Sequence, residues 1–176
     1  MRDTLLAFLP HGLRGACTVW NHHCGRGFDA YSLSCILLSA FPGIRLSVWA
    51  EDADTRAIIL APDLAVQRDA IPPYLARGDC FVETPEGMQF SGRVRECTQF
   101  ALADPLPLMD RSSFDLIVAR DILSYSERGA QHALLESFEK ALKPGGLLIL
   151  GLNERPWIGE WKSAARAGLR AHWRRE

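Results

Sequence analysis

The feature that most constrains the fold is a strand, loop and helix pattern that runs from Thr18 to Leu33 as TVWNHHCGRGFDAYSL. Thr18–Asn21 is typical of a short buried strand, and the residues after the loop predict a helix. Between them, Gly25 and Gly27 let the backbone approach a ligand without a Cβ in the way. Such a loop aims backbone N–H groups at whatever lies above it, so it is either a ligand-binding turn or only a tight structural turn.

The later chain alternates buried strands with amphipathic helices. The helix after the loop has a wide apolar face and ends at Pro42-Gly43, and another helix is predicted over Gly129–Leu142. The runs that predict further sheet strands are Ile44–Ala50, Val94–Phe100, Phe114–Ala119 and Leu147–Leu152. This alternation predicts an α/β fold, with a largely parallel sheet and helices on both faces.

A hairpin interrupts the alternation. Cys80–Glu83 and Met88–Phe90 are short extended stretches, and a turn at Pro85-Glu86-Gly87 separates them. We therefore expect a small β-hairpin subdomain at about 78–93, inserted in one domain that spans residues 1–155.

Acidic residues follow two of the predicted strands. Asp52 and Asp54 come after the second strand, and Asp52 stands 25 residues beyond Gly27. Ligands of an open parallel sheet bind beyond the carboxyl ends of its strands, where one acidic side chain can accept hydrogen bonds from both ribose hydroxyls of a nucleoside. We expect Asp52 to be that acceptor and Asp54 to cap the next helix, although either acid can serve as the cap. Asp104 is expected either to accept from an adenine amino group or to be a solvated loop acid.

Charge and cysteine content exclude several classes of protein. A net charge of −1 over 176 residues provides no field that attracts nucleic acid, so we expect no nucleic-acid partner. Five scattered cysteines without CxxC spacing argue against a zinc site and a disulfide framework, and they fit a reducing cytoplasm. Adjacent residues such as His22-His23-Cys24 rarely converge on one ion, so we expect no metal site. No apolar run reaches about 18 residues, so no transmembrane segment is expected.

The segment 156–176 differs in character from the rest. Large and apolar side chains recur every fourth position, at Trp157, Trp161, Ala165, Leu169 and Trp173. A basic stripe runs beside them, at Lys162, Arg166, Arg170 and Arg174. The pattern predicts a basic C-terminal helix. Its tryptophan face either packs on the domain or makes a peripheral contact, through residues 157–175, with anionic lipid or a protein partner.

Four motifs together resemble the chemotaxis receptor methyltransferases of the CheR type. Trp20–Leu33 is similar to the W-S-A-G-C-S-T-G-E-E-P-Y-S-L of that family, and Ala50–Asp54 is similar to its A-[TS]-D-I-D. Phe114–Tyr125 resembles F-D-L-I-F-C-R-N-V-L-I-Y, and Leu142–Glu154 resembles L-K-P-G-G-x-L…G-x-S-E. The motifs occur in the family's order, and the resemblance covers most of the chain.

The resemblance implies a Rossmann-like S-adenosylmethionine methyltransferase fold, whose inserted β-subdomain helps to bind the chemoreceptor. It implies methyl transfer from S-adenosylmethionine to a glutamate carboxylate of a protein substrate, with S-adenosylhomocysteine as the product. By position, Tyr125 and Arg120 are expected to be catalytic, with Tyr125 near the transferring methyl group. The cofactor-binding residues implied by the resemblance are Cys24, Gly25, Gly27, Asp29, Asp52, Asp104 and Asp121.

Several residues depart from the family pattern. Phe28 replaces a glutamate that could neutralise the cofactor's ammonium group, and His22 and His23 replace small residues at positions where an imidazole could intrude on the cofactor. Asp121 replaces an asparagine, and only residues 1–15 stand where the family has an N-terminal helical domain. Two functions therefore stay open: a divergent, active methyltransferase, or a catalytically inactive member that acts as a binding or regulatory module.

Overall fold

A seven-stranded sheet forms the centre of the computed structural model, which describes residues 2–9, 15–76, 79–103, 112–166 and 169–175. The described strands are β1 (Ala16–His22), β2 (Arg45–Asp52), β3 (Ala65–Val66), β4 (Phe81–Thr84), β5 (Gly87–Phe90), β6 (Thr98–Leu102), β7 (Phe114–Ala119), β8 (Leu142–Leu150), β9 (Trp161–Arg166) and β10 (Leu169–Arg174). The large sheet has the order β6-β2-β1-β7-β8-β10-β9. Its first five strands are parallel, and β10 runs antiparallel to both of its neighbours. The predicted largely parallel sheet is therefore confirmed.

Helices cover both faces of this sheet, as predicted. The described helices are α1 (Arg2–Phe8), α2 (Phe28–Ala40), α3 (Thr55–Leu60), α4 (Gly92–Glu96) and α5 (Arg128–Ala141). Successive side chains of a strand point to opposite faces. Val19 of β1 therefore joins the core on the α2 side, whereas Trp20 joins Leu135 and Phe138 of α5 in the core on the other side.

The hairpin predicted near residues 78–93 is present as β4 and β5. It belongs to a separate three-stranded sheet of order β3-β5-β4, whose third strand is the two-residue β3. Phe90 of β5 stacks on Tyr31 of α2, with the ring centroids 4.5 Å apart. The inserted sheet is thereby packed against the helix that follows the glycine loop.

The C-terminal segment is a β-hairpin, and the helix predicted over 156–176 is wrong. β9 pairs with β10, and β10 pairs with β8 through Ala171 opposite Ile149. A spacing of four residues places side chains on one side of a strand as well as on one side of a helix, so the pattern itself was ambiguous. Pairing with the free edge of β8 decides for strands. The single domain therefore extends past residue 155.

The N-terminal helix α1 packs against this C-terminal hairpin. Leu5 and Phe8 of α1 are buried, and the Phe8 ring meets the Trp173 ring of β10 edge-on, with centroids 5.6 Å apart. Helix α1 thus packs on the face of the sheet to which the Trp173 side chain of β10 points. In the described part of the chain, no helix combines the length and the apolar character that crossing a bilayer requires.

Candidate functional site

The predicted site residues follow the carboxyl ends of three adjacent strands. β1 lies between β2 and β7, and the chain continues from β1 to α2 on one face and from β7 to α5 on the other. Open α/β sheets bind ligands in the crevice where the strand order reverses in this way. The described residues at this edge are Cys24, Gly25, Gly27, Asp29, Asp52, Arg120, Asp121 and Tyr125, and Asp104 lies outside the described residues.

The loop between β1 and α2 depends on its glycines. The backbone is left-handed at both, with φ of +54° at Gly25 and +89° at Gly27. Gly27 N–H donates to the Cys24 carbonyl at 3.0 Å, and Cys24 N–H donates to the Glu51 carbonyl at 2.9 Å. A Cβ at Gly27 would lie 2.6 Å from the Phe100 ring, whereas one at Gly25 would meet nothing within 4 Å. The loop therefore needs a glycine at position 27 for space and leaves open room above position 25.

Asp52 is a buried carboxylate that backbone groups hold in place. Its Oδ2 accepts from Gly25 N–H at 2.7 Å, and its Oδ1 accepts from Asp54 N–H at 2.9 Å. The residue is 5% exposed, and Nδ1 of the half-exposed His23 lies 3.8 Å from Oδ2. A carboxylate offers about four lone-pair sites, so Asp52 keeps capacity to accept further hydrogen bonds. It fixes the glycine loop to β2, and its predicted ribose contact stays a prediction.

The neighbouring Asp54 has the capping role predicted for it. Its Oδ1 accepts from the N–H groups of Arg56 at 2.9 Å and Ala57 at 3.3 Å, the first free donors of α3. The two acids therefore divide the tasks. Asp54 caps the amino-terminal end of α3 at the surface, and Asp52 remains available at the crevice.

Two predicted site residues meet as an ion pair. Asp29 stands in the first turn of α2 and Arg120 directly after β7, and Arg120 Nη1 lies 3.2 Å from Asp29 Oδ2. Tyr74 faces the same pair: burial raises the pKa of its phenol, the Asp29 charge adds to the rise, and Arg120 opposes it. Sequence reasoning missed Tyr74, because a tyrosine after two prolines carries no motif that marks a site.

Glu154 ties together the loops that follow β7 and β8. It is 4% exposed, and it accepts from the backbone N–H groups of Asp121 at 2.9 Å, Ser124 at 2.8 Å and Gly151 at 2.8 Å. Asp121 has a left-handed backbone with φ of +60°, a conformation that asparagine and aspartate adopt more readily than other residues with a Cβ. Aspartate therefore keeps this turn where the family has asparagine. Tyr125 ends the loop with 87% of its surface exposed.

His22 is paired on the α5 side of the sheet. Its Nδ1 lies 2.7 Å from Glu51 Oε1, and Glu51 Oε2 accepts from Trp49 Nε1 at 3.1 Å. The imidazole ring packs edge-on against Phe138 of α5, with centroids 5.6 Å apart. The His22 side chain therefore contacts Glu51 and Phe138 on the face of the sheet opposite α2. The sequence had suggested instead that this imidazole could intrude on the cofactor.

The Cys24 thiol is protonated at neutral pH. Burial raises its pKa to about 12, and the nearby Asp52 carboxylate adds to the rise. Because only the thiolate is a strong nucleophile, Cys24 does not serve as one here. The residue contributes to the site through its backbone and its packing.

The family model described as CheR methyltransferase, SAM binding domain, matches residues 3–163. The resemblance drawn from the four motifs is confirmed by this match.

Two relatives among curated proteins illustrate the extent of the likeness. The chain is 28% identical over 165 residues to a chemotaxis protein methyltransferase of Listeria monocytogenes, a match that covers 88% of this chain and 60% of that protein. It is 29% identical over 163 residues to a chemotaxis protein methyltransferase of Escherichia coli, which covers 85% of this chain and 56% of that protein. The chain therefore spans little more than half the length of these relatives.

A solved structure supports the fold. The TehB-like SAM-dependent methyltransferase of Corynebacterium glutamicum superposes with a TM-score of 0.60 at 15% identity, over 99% of this chain and 86% of that chain. Together with the sheet order, this likeness confirms the Rossmann-like methyltransferase fold.

Proposed function

Because the chain belongs to the family of CheR methyltransferase SAM-binding domains, we propose that it is an S-adenosylmethionine-dependent methyltransferase acting on a protein carboxylate. The proposed acceptor is a glutamate side chain, as the resemblance of the four motifs to the chemotaxis receptor methyltransferases implies. The product is S-adenosylhomocysteine. The chain covers only part of those relatives, so its activity and its protein partner belong to this proposal.

Asp52 carries the proposal. A buried carboxylate costs free energy unless it is paired or hydrogen-bonded, and its described partners are two backbone N–H groups and one half-exposed histidine. The Asp115 carboxylate of β7, by contrast, pairs with Lys143 Nζ at 2.8 Å. Asp52 instead sits at the mouth of the crevice, beside a glycine loop with open space at Gly25, which fits the ribose hydroxyls of the cofactor.

Methyl transfer from a sulfonium to a carboxylate depends on the alignment of the two reacting groups rather than on a general acid or a protein nucleophile. When bound, S-adenosylmethionine supplies an electrophilic methyl group on a sulfonium. The chain then has to hold the acceptor carboxylate in line with that methyl group and to exclude water. In the proposal, the Asp29–Arg120 ion pair shapes the crevice wall, and the exposed Tyr125 lies at the rim where an acceptor side chain would enter.

The departures from the family pattern bear on whether binding survives. The His22 side chain is taken up by Glu51 on the α5 side, which supports an open cofactor space. Phe28 favours the second candidate, an inactive binding module, because it packs towards Phe90 of the inserted sheet, with centroids 6.4 Å apart, and supplies no carboxylate. Losing one charge-assisted hydrogen bond costs about 1.5–3 kcal/mol, which weakens cofactor binding without abolishing it.

Calorimetric titration with S-adenosylhomocysteine tests cofactor binding. We expect the wild-type chain to bind with a Kd of about micromolar order. Asp52→Asn, which keeps the shape but loses the charge, should bind at least about tenfold more weakly. Asp54→Ala is the matched control two residues away, and it should bind like the wild type. A folded wild-type chain that gives no heat with millimolar ligand would support the inactive module instead.

A second experiment tests the acceptor. The chain is incubated with S-adenosylmethionine that carries a tritiated methyl group and with the cytoplasmic fragment of a chemoreceptor. A carboxyl methyl ester releases its label as volatile methanol in mild base, whereas methylated amines and thioethers keep theirs. Base-stable label, or no label from a chain that binds the cofactor, would contradict the proposed acceptor.

A further inference from the structure

Asn21 has a buried acceptor atom with no partner. The residue stands at the end of β1 and is 2% exposed. Its Nδ2 donates to the Val118 carbonyl of β7 at 3.2 Å, whereas its Oδ1 has no hydrogen-bond partner among the described residues. Exchanging the two amide atoms would set an oxygen against the Val118 carbonyl oxygen, so the hydrogen bond to Val118 fixes the orientation of the amide. A buried acceptor left unpaired is costly, and such an atom calls for an explanation.

Asn21 lies near the carboxyl end of β1, beside β7, where the strand order of the sheet reverses. Asn21 is paired in register with Val118, so its amide bridges β1 and β7 on the side of α2. Asp52 is the last residue of β2, on the other side of β1. If the ribose contacts Asp52 as proposed above, the methionine part of the cofactor would reach over β1 towards β7. In that orientation the unpaired Oδ1 would lie under the end of the cofactor that carries the amino acid.

The other acceptors expected for an ammonium group are lost or occupied. Phe28 stands where the family pattern has a glutamate and offers no carboxylate. The Asp29 carboxylate is already engaged by Arg120 at 3.2 Å. An ammonium group brings a positive charge and three N–H donors, and hydrogen bonds from a charged donor are stronger than neutral ones.

We propose that Asn21 Oδ1 accepts a hydrogen bond from the α-ammonium group of S-adenosylmethionine and so takes over part of the role of the missing glutamate. The inference rests on the proposed function. It identifies the part of the cofactor that this residue recognises, and it explains both the polar residue in a buried strand and its single unpaired atom.

The experiment removes the two partners of this hydrogen bond one at a time. The probes are S-adenosylhomocysteine and its analogue without the amino group, 5′-deoxy-5′-(3-carboxypropylthio)adenosine, titrated by calorimetry. The proteins are the wild-type chain, Asn21→Ala, and Ser91→Ala as the control. Ser91 also has a buried hydroxyl without a partner among the described residues, but it precedes α4, away from the crevice. Asn21→Ser keeps a smaller polar side chain and replaces the alanine variant should that one not fold.

We expect the wild type and Ser91→Ala to prefer S-adenosylhomocysteine over the analogue by about tenfold or more. Asn21→Ala should bind both ligands with similar affinity, because only the ligand with the amino group loses a hydrogen bond. An equal loss for both ligands would make Asn21 a structural residue and overturn the inference. An unchanged preference would overturn it as well. A wild-type chain that binds neither ligand would contradict the proposed function, and the inference would fall with it.

Discussion

The two ends of the parallel sheet each hold a carboxylate next to β1, and they treat it differently. At the amino end, Asp115 accepts from Thr18 N–H at 2.8 Å and from the Thr18 hydroxyl at 2.9 Å, and Lys143 Nζ lies 2.8 Å away. At the carboxyl end, Asp52 accepts from two backbone N–H groups, and His23 Nδ1 lies 3.8 Å from its Oδ2. The first carboxylate pairs with a lysine, whereas the second has no lysine or arginine partner in the part of the chain that the structure describes.

In the proposed function, this difference separates a structural site from a binding site. The Asp115 cluster is complete: Lys143 balances its charge, and the cluster joins β1, β7 and β8. The carboxyl end leaves the Asp52 charge without a lysine or arginine partner among the described residues and leaves the Asn21 oxygen unpaired. Polar groups left incomplete in a crevice are available to a ligand, at a cost in stability that binding recovers.

The largest expected effect comes from exchanging the two carboxylates for alanine. Asp52→Ala should abolish measurable binding of S-adenosylhomocysteine. It should also lower the free energy of unfolding by about 1–3 kcal/mol, because two backbone donors lose their acceptor. Asp115→Ala should also lower the free energy of unfolding by about 1–3 kcal/mol, but it should leave the Kd for S-adenosylhomocysteine unchanged. Calorimetry and urea unfolding measure the two quantities, and weaker binding by a folded Asp115→Ala chain would break the comparison.

His172 of β10 also has a buried atom, Nε2, without a hydrogen-bond partner among the described residues. Because it lies outside the crevice, we expect changes at this residue to affect stability and not ligand binding. Burial lowers the pKa of its imidazole from 6.5 to about 4, and Arg170 and Arg155 add to the shift. The folded chain therefore stays neutral there, while the unfolded chain takes up a proton as the pH falls through 6.5. The contribution of His172 to the free energy of unfolding should therefore be fully present above about pH 7. As the pH falls to about 4, the free energy of unfolding should decrease by about 3 kcal/mol.

Urea unfolding followed by tryptophan fluorescence at several pH values measures this loss. His172→Gln keeps a polar partner for Ser163, whose hydroxyl lies 2.7 Å from His172 Nδ1, and cannot take up the proton. The variant should lose that part of the pH dependence and bind S-adenosylhomocysteine normally at neutral pH. An unchanged pH profile would refute the role of His172.

Replacing each glycine of the loop by alanine separates the effect of one added methyl group on stability from its effect on ligand binding. Gly27→Ala adds a Cβ 2.6 Å from the Phe100 ring in a left-handed backbone, so we expect a loss of about 2–3 kcal/mol in the free energy of unfolding. Gly25→Ala has open space around it and should cost about 1 kcal/mol from its backbone conformation alone. Its effect should appear mainly in ligand affinity. Equal unfolding costs would contradict this account of the loop.

The smallest effect on stability is expected at the rim. Tyr125 is 87% exposed, so Tyr125→Phe should change the free energy of unfolding by less than about 0.5 kcal/mol. If Tyr125 positions the acceptor, the rate of methyl transfer should fall by about tenfold while the Kd for S-adenosylhomocysteine stays constant. Tyr74→Phe is the control at the half-buried phenol beside Asp29. Wild-type transfer by Tyr125→Phe would remove the residue from the catalytic site.

Local patterns carried most of the sequence prediction. The strand, glycine loop and helix around Gly25 and Gly27, the Asp54 cap and the hairpin near Phe90 are all decided by neighbouring residues. Each of them has the predicted form in the structure. The position of Asp52 at the carboxyl end of β2 followed as well, because parallel strands bring their carboxyl ends to one edge.

Long-range contacts account for what the sequence could not show. The C-terminal hairpin depends on the free edge of β8, some 20 residues earlier in the chain, and its four-residue repeat fits a helix equally well. The Asp29–Arg120 pair joins residues 91 positions apart, and Asn21 meets Val118 across 97 positions. Glu154 was part of a recognised motif, yet its role in joining two loops appears only when the loops meet.

The central claim is that the carboxyl end of the sheet, and not its amino end, is the site of S-adenosylmethionine. The most direct test is a titration of the ¹⁵N-labelled chain with S-adenosylhomocysteine, followed by amide NMR shifts. We predict saturable shifts at Gly25, Gly27, Asp54 and Asp121, with Thr18 and Asp115 unchanged. A folded chain that shows no shifts at millimolar ligand, or shifts centred on Thr18 and Asp115, would contradict the claim.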